Sequence, residues 1–189
     1  TNNKYRYEVF AELCKVALEV CEGQQLDLNF ETRDDVTLKE YQEMIRLKTA
    51  VLLGSVLKIG AIVAGADEES QKIIYDFGVN IGMAFQLQDD MLDSFGDEAL
   101  GKKIGGDILE GKQTYLMVQA MSRASDEERE VLRTTHKNEA LSDAEKITTI
   151  KALYEKLDVK HATEQQIELR FERALSVLNT LSIGSERTV

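Results

Sequence analysis

Phe85-Gln86-Leu87-Gln88-Asp89-Asp90-Met91-Leu92-Asp93 is the most informative stretch of the chain. At about 100° per residue, a helix through it brings Gln86, Asp89, Asp90 and Asp93 within roughly a 100° arc. Three carboxylates and an amide then share one face. Carboxylates about 6 Å apart in an effective dielectric near 20 repel by roughly 3 kcal/mol per pair, and full exposure to water cuts that to a few tenths. The cluster therefore sits either in open water or around a cation. With 13 Asp in 189 residues, D-D-x-x-D arises by chance about 0.06 times, so number alone leaves a solvated acidic face open. Phe85, Leu87, Met91 and Leu92 make the other sides of the helix apolar, which turns the acidic stripe toward a bundle interior or a cleft mouth. Oxygen ligands without imidazole or thiolate select magnesium over zinc, and magnesium typically bridges a few carboxylates to substrate phosphates.

Just downstream, Phe95 to Lys112 reads as a long loop with five glycines and the lysines Lys102, Lys103 and Lys112. Cations beside magnesium ligands suit a polyanion, although a solvated linker fits the loop composition equally. Gly96 to Lys103 nearly matches G-x-x-x-x-G-K-[ST], but Lys103 replaces the required hydroxyl and a helix, not a strand, precedes the loop. A P-loop nucleotide-binding site is therefore rejected.

Outward from this centre the chain reads as one all-helical domain over residues 1–189. Proline is absent and only 6% of residues are aromatic, where an average composition would place about nine prolines. Capping boxes begin at Thr37, Ser125 and Ser142, each with a Glu three residues on. The pattern predicts helices over Tyr5–Gln25, Leu38–Ala64, Glu68–Ser94, Gln113–Ala124, Asp126–Lys137, Asp143–Lys156 and Lys160–Leu181. Leu38–Ala64 is expected to break near Lys48-Thr49, which would expose backbone carbonyls. Ile74, Phe77, Ile81, Ala84 and Phe85 form the expected core stripe of the third helix.

Composition also excludes classes of function. A net charge of −11 disfavours binding to nucleic acid. No apolar run approaches the roughly 20 residues of a membrane span and no basic leader precedes an apolar segment, so a soluble, cytoplasmic protein is expected. Cys14 and Cys21 lie about 10 Å apart along a helix, too far for a disulfide, and read as small core residues. His136 and His161 lack partners at zinc-site spacing. The chain starts Thr1-Asn2-Asn3 without methionine, which suggests a segment of a longer polypeptide.

F-Q-L-Q-D-D-M-L-D-S-F-G-D followed by G-K-K-I-G-G-D-I-L-E-G-K-Q-T-Y-L resembles the second aspartate-rich region and lysine loop of the trans-isoprenyl diphosphate synthases, which include farnesyl and geranylgeranyl diphosphate synthases. Gly23-Gln24-Gln25-Leu26-Asp27-Leu28 and Lys48-Thr49 sit upstream in the expected order. The resemblance implies the C-terminal portion of an isoprenoid-synthase-type all-α bundle. It implies a magnesium-assisted prenyltransferase that ionises an allylic diphosphate, joins the cation to isopentenyl diphosphate and loses a proton. Asp89 would bind magnesium directly, Asp90 and Asp93 would complete the acidic patch, and Asp107 would support it through water. Lys48, Lys103 and Lys112 would hold the leaving diphosphate. Thr49, the Lys48 carbonyl and Gln86 would face the allylic cation, with Gln24 and Asp27 as site-wall residues. A homodimer packed through helices is implied as well. Taken singly, Gln24, Gln86 and Thr49 also fit residues that merely satisfy buried backbone groups, and Lys48 fits a surface lysine.

The family's first aspartate-rich motif and its neighbouring arginines are not among these residues. Asp34-Asp35 does not replace them, because Leu38 stands where an Asp is required. The alternative is thus a non-catalytic or regulatory subunit of the same fold. A class I terpene cyclase is a third reading, weakened because cyclases seldom carry G-K-x-I-G-x-D-I after the aspartates.

Overall fold

The computed structural model describes residues 5–96 and 104–181. Among them every regular element is helical: α1 (Arg6–Phe30), α2 (Leu38–Ile45), a π-helical turn (Arg46–Ala50), α3 (Val51–Ala64), α4 (Glu68–Phe95), α5 (Gly106–Glu110), α6 (Tyr115–Arg123), α7 (Asp126–Thr134), a 3-10 turn (Thr135–Lys137), α8 (Asp143–Lys156) and α9 (Val159–Leu178).

The helix starts follow from local chemistry. Thr37, Ser125 and Ser142 each accept a hydrogen bond from the backbone N–H of Glu40, Glu128 and Glu145, and each Glu carboxylate accepts the cap N–H in return. Asp67 and Thr114 cap α4 and α6 in the simpler way. Those side chains satisfy donors that a helix terminus leaves unpaired. Helix ends shift by up to five residues from expectation: α1 runs on to Phe30, and α9 stops at Leu178. The short α5 lies inside the expected loop, bounded by Gly105 and Gly111, both with left-handed φ near +79° and +68°.

α4 is the central element, flanked by α3 and α9. Its buried line is Gly78, Gly82, Met83, Ala84, Leu87, Asp90 and Ser94, which corrects the expected stripe. Phe85 points outward and is 62% exposed. The reason is steric: the π-turn and α3 approach so closely that a Cβ on Gly82 would lie 2.6 Å from the Ala50 Cα, and one on Gly78 would lie 2.8 Å from the Gly54 Cα. Glycine, not a large apolar residue, marks this contact. One hydrophobic cluster (Phe30, Tyr41, Met44, Ile45, Met83, Leu87, Tyr115) joins α1, α2, α4 and α6, and a second (Ile108, Leu116, Leu132, Ile150, Tyr154, Val159) joins α5 to α9.

Two further expectations change. Cys14 and Cys21 are exposed on α1 and are not core residues, because α1 buries only Glu12, Val16, Gly23 and Phe30. The run Leu38–Ala64 forms a 27-residue helical stretch with mean hydropathy 1.8 in its most apolar window, long and apolar enough by length and composition to cross a membrane. A third of that window is buried inside the protein, and the run carries Lys48 and Lys58.

Candidate active site

The site starts at the junction of α2 and α3. Over Arg46–Ala50 the helix widens, and the Val51 N–H reaches back five residues to the Arg46 carbonyl. A π-turn displaces carbonyls from the regular ladder, so the expected break near Lys48-Thr49 takes this form. Gly23 of α1 lies against the turn: a Cβ there would come within 2.3 Å of the Lys48 N and 2.7 Å of the Leu47 carbonyl carbon. Any larger residue would push α1 away from the turn. The Lys48 Nζ donates to Asp27 Oδ2 at 2.6 Å, with both side chains about one-third exposed. One turn of α1 beyond Gly23, Asp27 is thereby brought to the lysine.

Thr49 begins a chain of hydrogen bonds that enters α4. Its hydroxyl donates to Gln86 Oε1 at 3.0 Å, and Gln86 Nε2 donates to Asp90 Oδ1 at 3.0 Å. Asp90 Oδ2 accepts the Tyr41 hydroxyl and, at 2.8 Å, the Tyr115 N–H at the start of α6. Asp90 is only 4% exposed. Burial pushes its carboxyl up to about 6, against the opposing pull of Tyr41, the Tyr115 N–H and Gln86. The Tyr41 phenol is pushed well above its ordinary value by burial and by the Asp90 charge, so it remains a donor.

The C-terminal end of α4 and the α5 turn form the opposite wall. Asp93 accepts the Gly105 N–H on its backbone carbonyl at 2.6 Å and the Asp107 N–H on its carboxylate at 3.1 Å. Asp93 thus seats the start of α5. The Lys112 Nζ donates to Asp107 Oδ1 at 2.9 Å and lies 3.0 Å from Glu110 Oε2. These carboxylates, Asp107 first, hold the ammonium well above the ordinary lysine range. Asp27, Tyr41, Lys48, Gln86, Asp89, Asp90, Asp107 and Lys112 all border one cavity of about 290 Å³. A larger recess of about 840 Å³ lies along the other half of α4 and holds none of the predicted site residues.

The structure thus brings together Asp27, Lys48, Thr49, Gln86, Asp89, Asp90, Asp93, Asp107 and Lys112 from distant parts of the sequence. Gln24 does not join them: it is exposed on α1 and does not border the cavity. Lys103 lies outside the described residues. Among those described, no three His, Cys, Asp or Glu side chains could hold a metal by themselves. Asp89 and Asp107 both border the cavity, and carboxylate oxygens are donors of the kind magnesium takes together with water and phosphate oxygens. Tyr41 and the Tyr115 N–H are the partners that sequence reasoning missed. The only signal was that Tyr41, Met44, Ile45 and Lys48 recur on one helical face.

Comparison with known proteins agrees with this geometry. Residues 1–157 match the polyprenyl synthetase family. The chain belongs to the polyprenyl synthetases. A geranylgeranyl pyrophosphate synthase of Geoglobus acetivorans is 40% identical over 158 residues, covering 84% of this chain and 48% of that protein. A short chain isoprenyl diphosphate synthase of Methanothermobacter thermautotrophicus is 47% identical over 126 residues, 66% of this chain and 39% of the relative. A crystal structure of a geranylgeranyl pyrophosphate synthase superposes with a TM-score of 0.89 at 44% identity, over 98% of this chain and 58% of the other. Another, from Corynebacterium glutamicum in complex with isoprenyl diphosphate and magnesium, gives a TM-score of 0.83 at 31% identity, over 95% of this chain and 52% of the other. This polyprenyl synthetase chain therefore has the all-α isoprenoid-synthase fold and spans about half the length of such relatives.

Proposed function

We propose that this chain supplies the diphosphate- and cation-handling half of an isoprenyl diphosphate synthase, which joins an allylic diphosphate to isopentenyl diphosphate. The observation that carries this reading is the single cleft in which Lys48, Lys112, Asp89 and Asp107 stand beside the Thr49–Gln86 pair. Names of relatives point the same way.

In this reading Lys48 and Lys112 bind the leaving diphosphate. Their charge stabilises the anion that receives the electron pair as the allylic C–O bond breaks. Asp27 holds Lys48 at a fixed position, and Asp107 does the same for Lys112. Magnesium, held by Asp89 and, through water, by Asp107, would neutralise further charge on the diphosphate. The Thr49 hydroxyl oxygen and Gln86 carbonyl oxygen present negative ends of dipoles toward the allylic cation. The double bond of isopentenyl diphosphate then attacks that cation, forming a C–C bond, and a proton leaves the product. No nucleophilic side chain is required. The exposed apolar side chains of α1, including Phe10, Leu13 and Leu18, support a helix-packed homodimer.

The test is prenyl transfer by the complete gene product with magnesium, an allylic diphosphate and isopentenyl diphosphate. Asp89→Ala is expected to lower turnover at least about a hundredfold, since it removes a ligand of the metal that meets charge formed on ionisation. A loss below tenfold would assign Asp89 to a solvated face.

A further inference from the structure

We infer that Asp90, although part of the D-D-x-x-D pattern, is a positioning residue and not a magnesium ligand: it fixes the Gln86 amide so that its carbonyl faces Thr49. The inference deepens the prenyltransferase reading and rests on it for its activity readout.

Geometry separates Asp90 from its neighbour Asp89. Both border the cavity, but Asp89 is only half-buried. Asp90 is 4% exposed, and three donors from three elements converge on its two oxygens: the Tyr41 O–H from α2, the Gln86 Nε2–H from α4 and the Tyr115 N–H from the first turn of α6. Each donor aims a partly positive hydrogen at the carboxylate, so a cation approaching there meets repulsion. Magnesium also demands near-octahedral access at about 2.1 Å, which a carboxylate enclosed on three sides does not offer.

The same enclosure has a chemical use. A primary amide has one accepting end and one donating end that are alike in size, so shape alone does not fix its orientation. An ionised carboxylate only accepts. With Asp90 beside it, Gln86 must turn its NH₂ toward Asp90, and the carbonyl oxygen then faces the Thr49 hydroxyl. Tyr41 and the α6 terminus in turn prevent Asp90 from rotating. The carbonyl dipole assigned to the allylic cation is thus set by a residue that touches neither substrate nor metal.

The experiment compares Asp89→Asn, Asp90→Asn, Gln86→Ala and the Asp90→Asn/Gln86→Ala double variant in the complete enzyme. The first readout is the joint rise in melting temperature given by magnesium plus inorganic pyrophosphate. Asp90→Asn is expected to keep the wild-type increment, and Asp89→Asn to lose most of it. The second readout is kinetic. Asp90→Asn should lower kcat about tenfold or more with KM for both diphosphates within threefold, and should add less than threefold in the Gln86→Ala background. Loss of the increment in Asp90→Asn would make Asp90 a ligand. Multiplying effects in the double variant would make it a general structural residue. Either result overturns the inference. Should Asp90→Asn fail to fold, Tyr41→Phe, which leaves the carboxylate in place, is read in the same cycle with the same expectations. A wild type that transfers no prenyl group overturns the functional reading, and the magnesium–pyrophosphate comparison then decides Asp90 by itself.

Discussion

Glu12 is 5% exposed and remains charged because two neighbours on α3 hold it so: the Ser55 hydroxyl at 2.7 Å and the Lys58 ammonium at 2.6 Å. Burial by itself raises this carboxyl, but Lys58 and Ser55 more than offset it, and the net value falls below the usual glutamate range. A depressed carboxyl binds fewer protons folded than unfolded. Its contribution is therefore complete above about pH 4.5 and is lost as pH falls through the depressed value. Glu12→Gln is expected to reduce stability by about 1–3 kcal/mol at pH 7. The gap from wild type should narrow below pH 4.5, as read by melting temperature across pH 7 to 3. A gap that stays constant would show that the pair adds nothing through its charge. At this scale the sequence tells which residue types meet, but not which way each turns. Asp89 and Asp90 have the same side chain and adjacent positions, and helical spacing places both on one arc. Only Tyr41, 49 residues away, and the α6 terminus draw Asp90 inward, and no local pattern announces either.

Helix starts were legible because a cap is a local event: Thr37, Ser125 and Ser142 need only a Glu three residues on. Packing faces were less so. A hydrophobic tally gives glycine no weight, yet Gly54, Gly78 and Gly82 are what allow the π-turn and α3 to approach α4. Two glycine substitutions at this interface scale have opposite expected signs. Gly82→Ala drives a methyl group into the backbone of Ala50 and should cost about 1–3 kcal/mol as overpacking does. Gly60→Ala meets nothing within 4 Å and should stabilise by up to about 1 kcal/mol through helix propensity and reduced freedom of the unfolded chain. Urea titration of both variants checks the pair. Equal effects would mean that the close approach of α3 and α4 contributes little. α5 escaped notice for a related reason: five residues between two left-handed glycines carry too short a pattern to count as a helix.

Across the whole molecule, α1 and α3 leave Tyr7, Phe10, Leu13, Leu18, Leu52, Val56 and Val63 exposed, and Phe10, Leu13 and Val63 border one recess. Soluble monomers rarely leave large contiguous patches of this kind uncovered. The chain spans about half the length of the relatives it matches, and these 189 residues hold one D-D-x-x-D and no second. Prepared by themselves they are expected to show no prenyl transfer above a no-protein control, a radiolabel assay being enough to decide. Clear turnover would mean that Asp89, Lys48 and Lys112 suffice without a second acidic motif. The motifs from Asp89 to Lys112 made the fold and the cleft readable in advance, because their chemistry constrains sequence directly. The π-turn at Arg46–Ala50 adds a different kind of constraint. A π-turn amounts to one surplus residue in an otherwise regular helix, so it is a reading-frame event at the level of geometry. An in-frame loss of one codon between 46 and 50 would restore a continuous α-helix and leave its composition almost unchanged. It would also swing everything upstream by about 100° about the helix axis, carrying Tyr41 off Asp90. Across lineages, such a deletion should be far rarer in these five codons than in the exposed turn between α7 and α8.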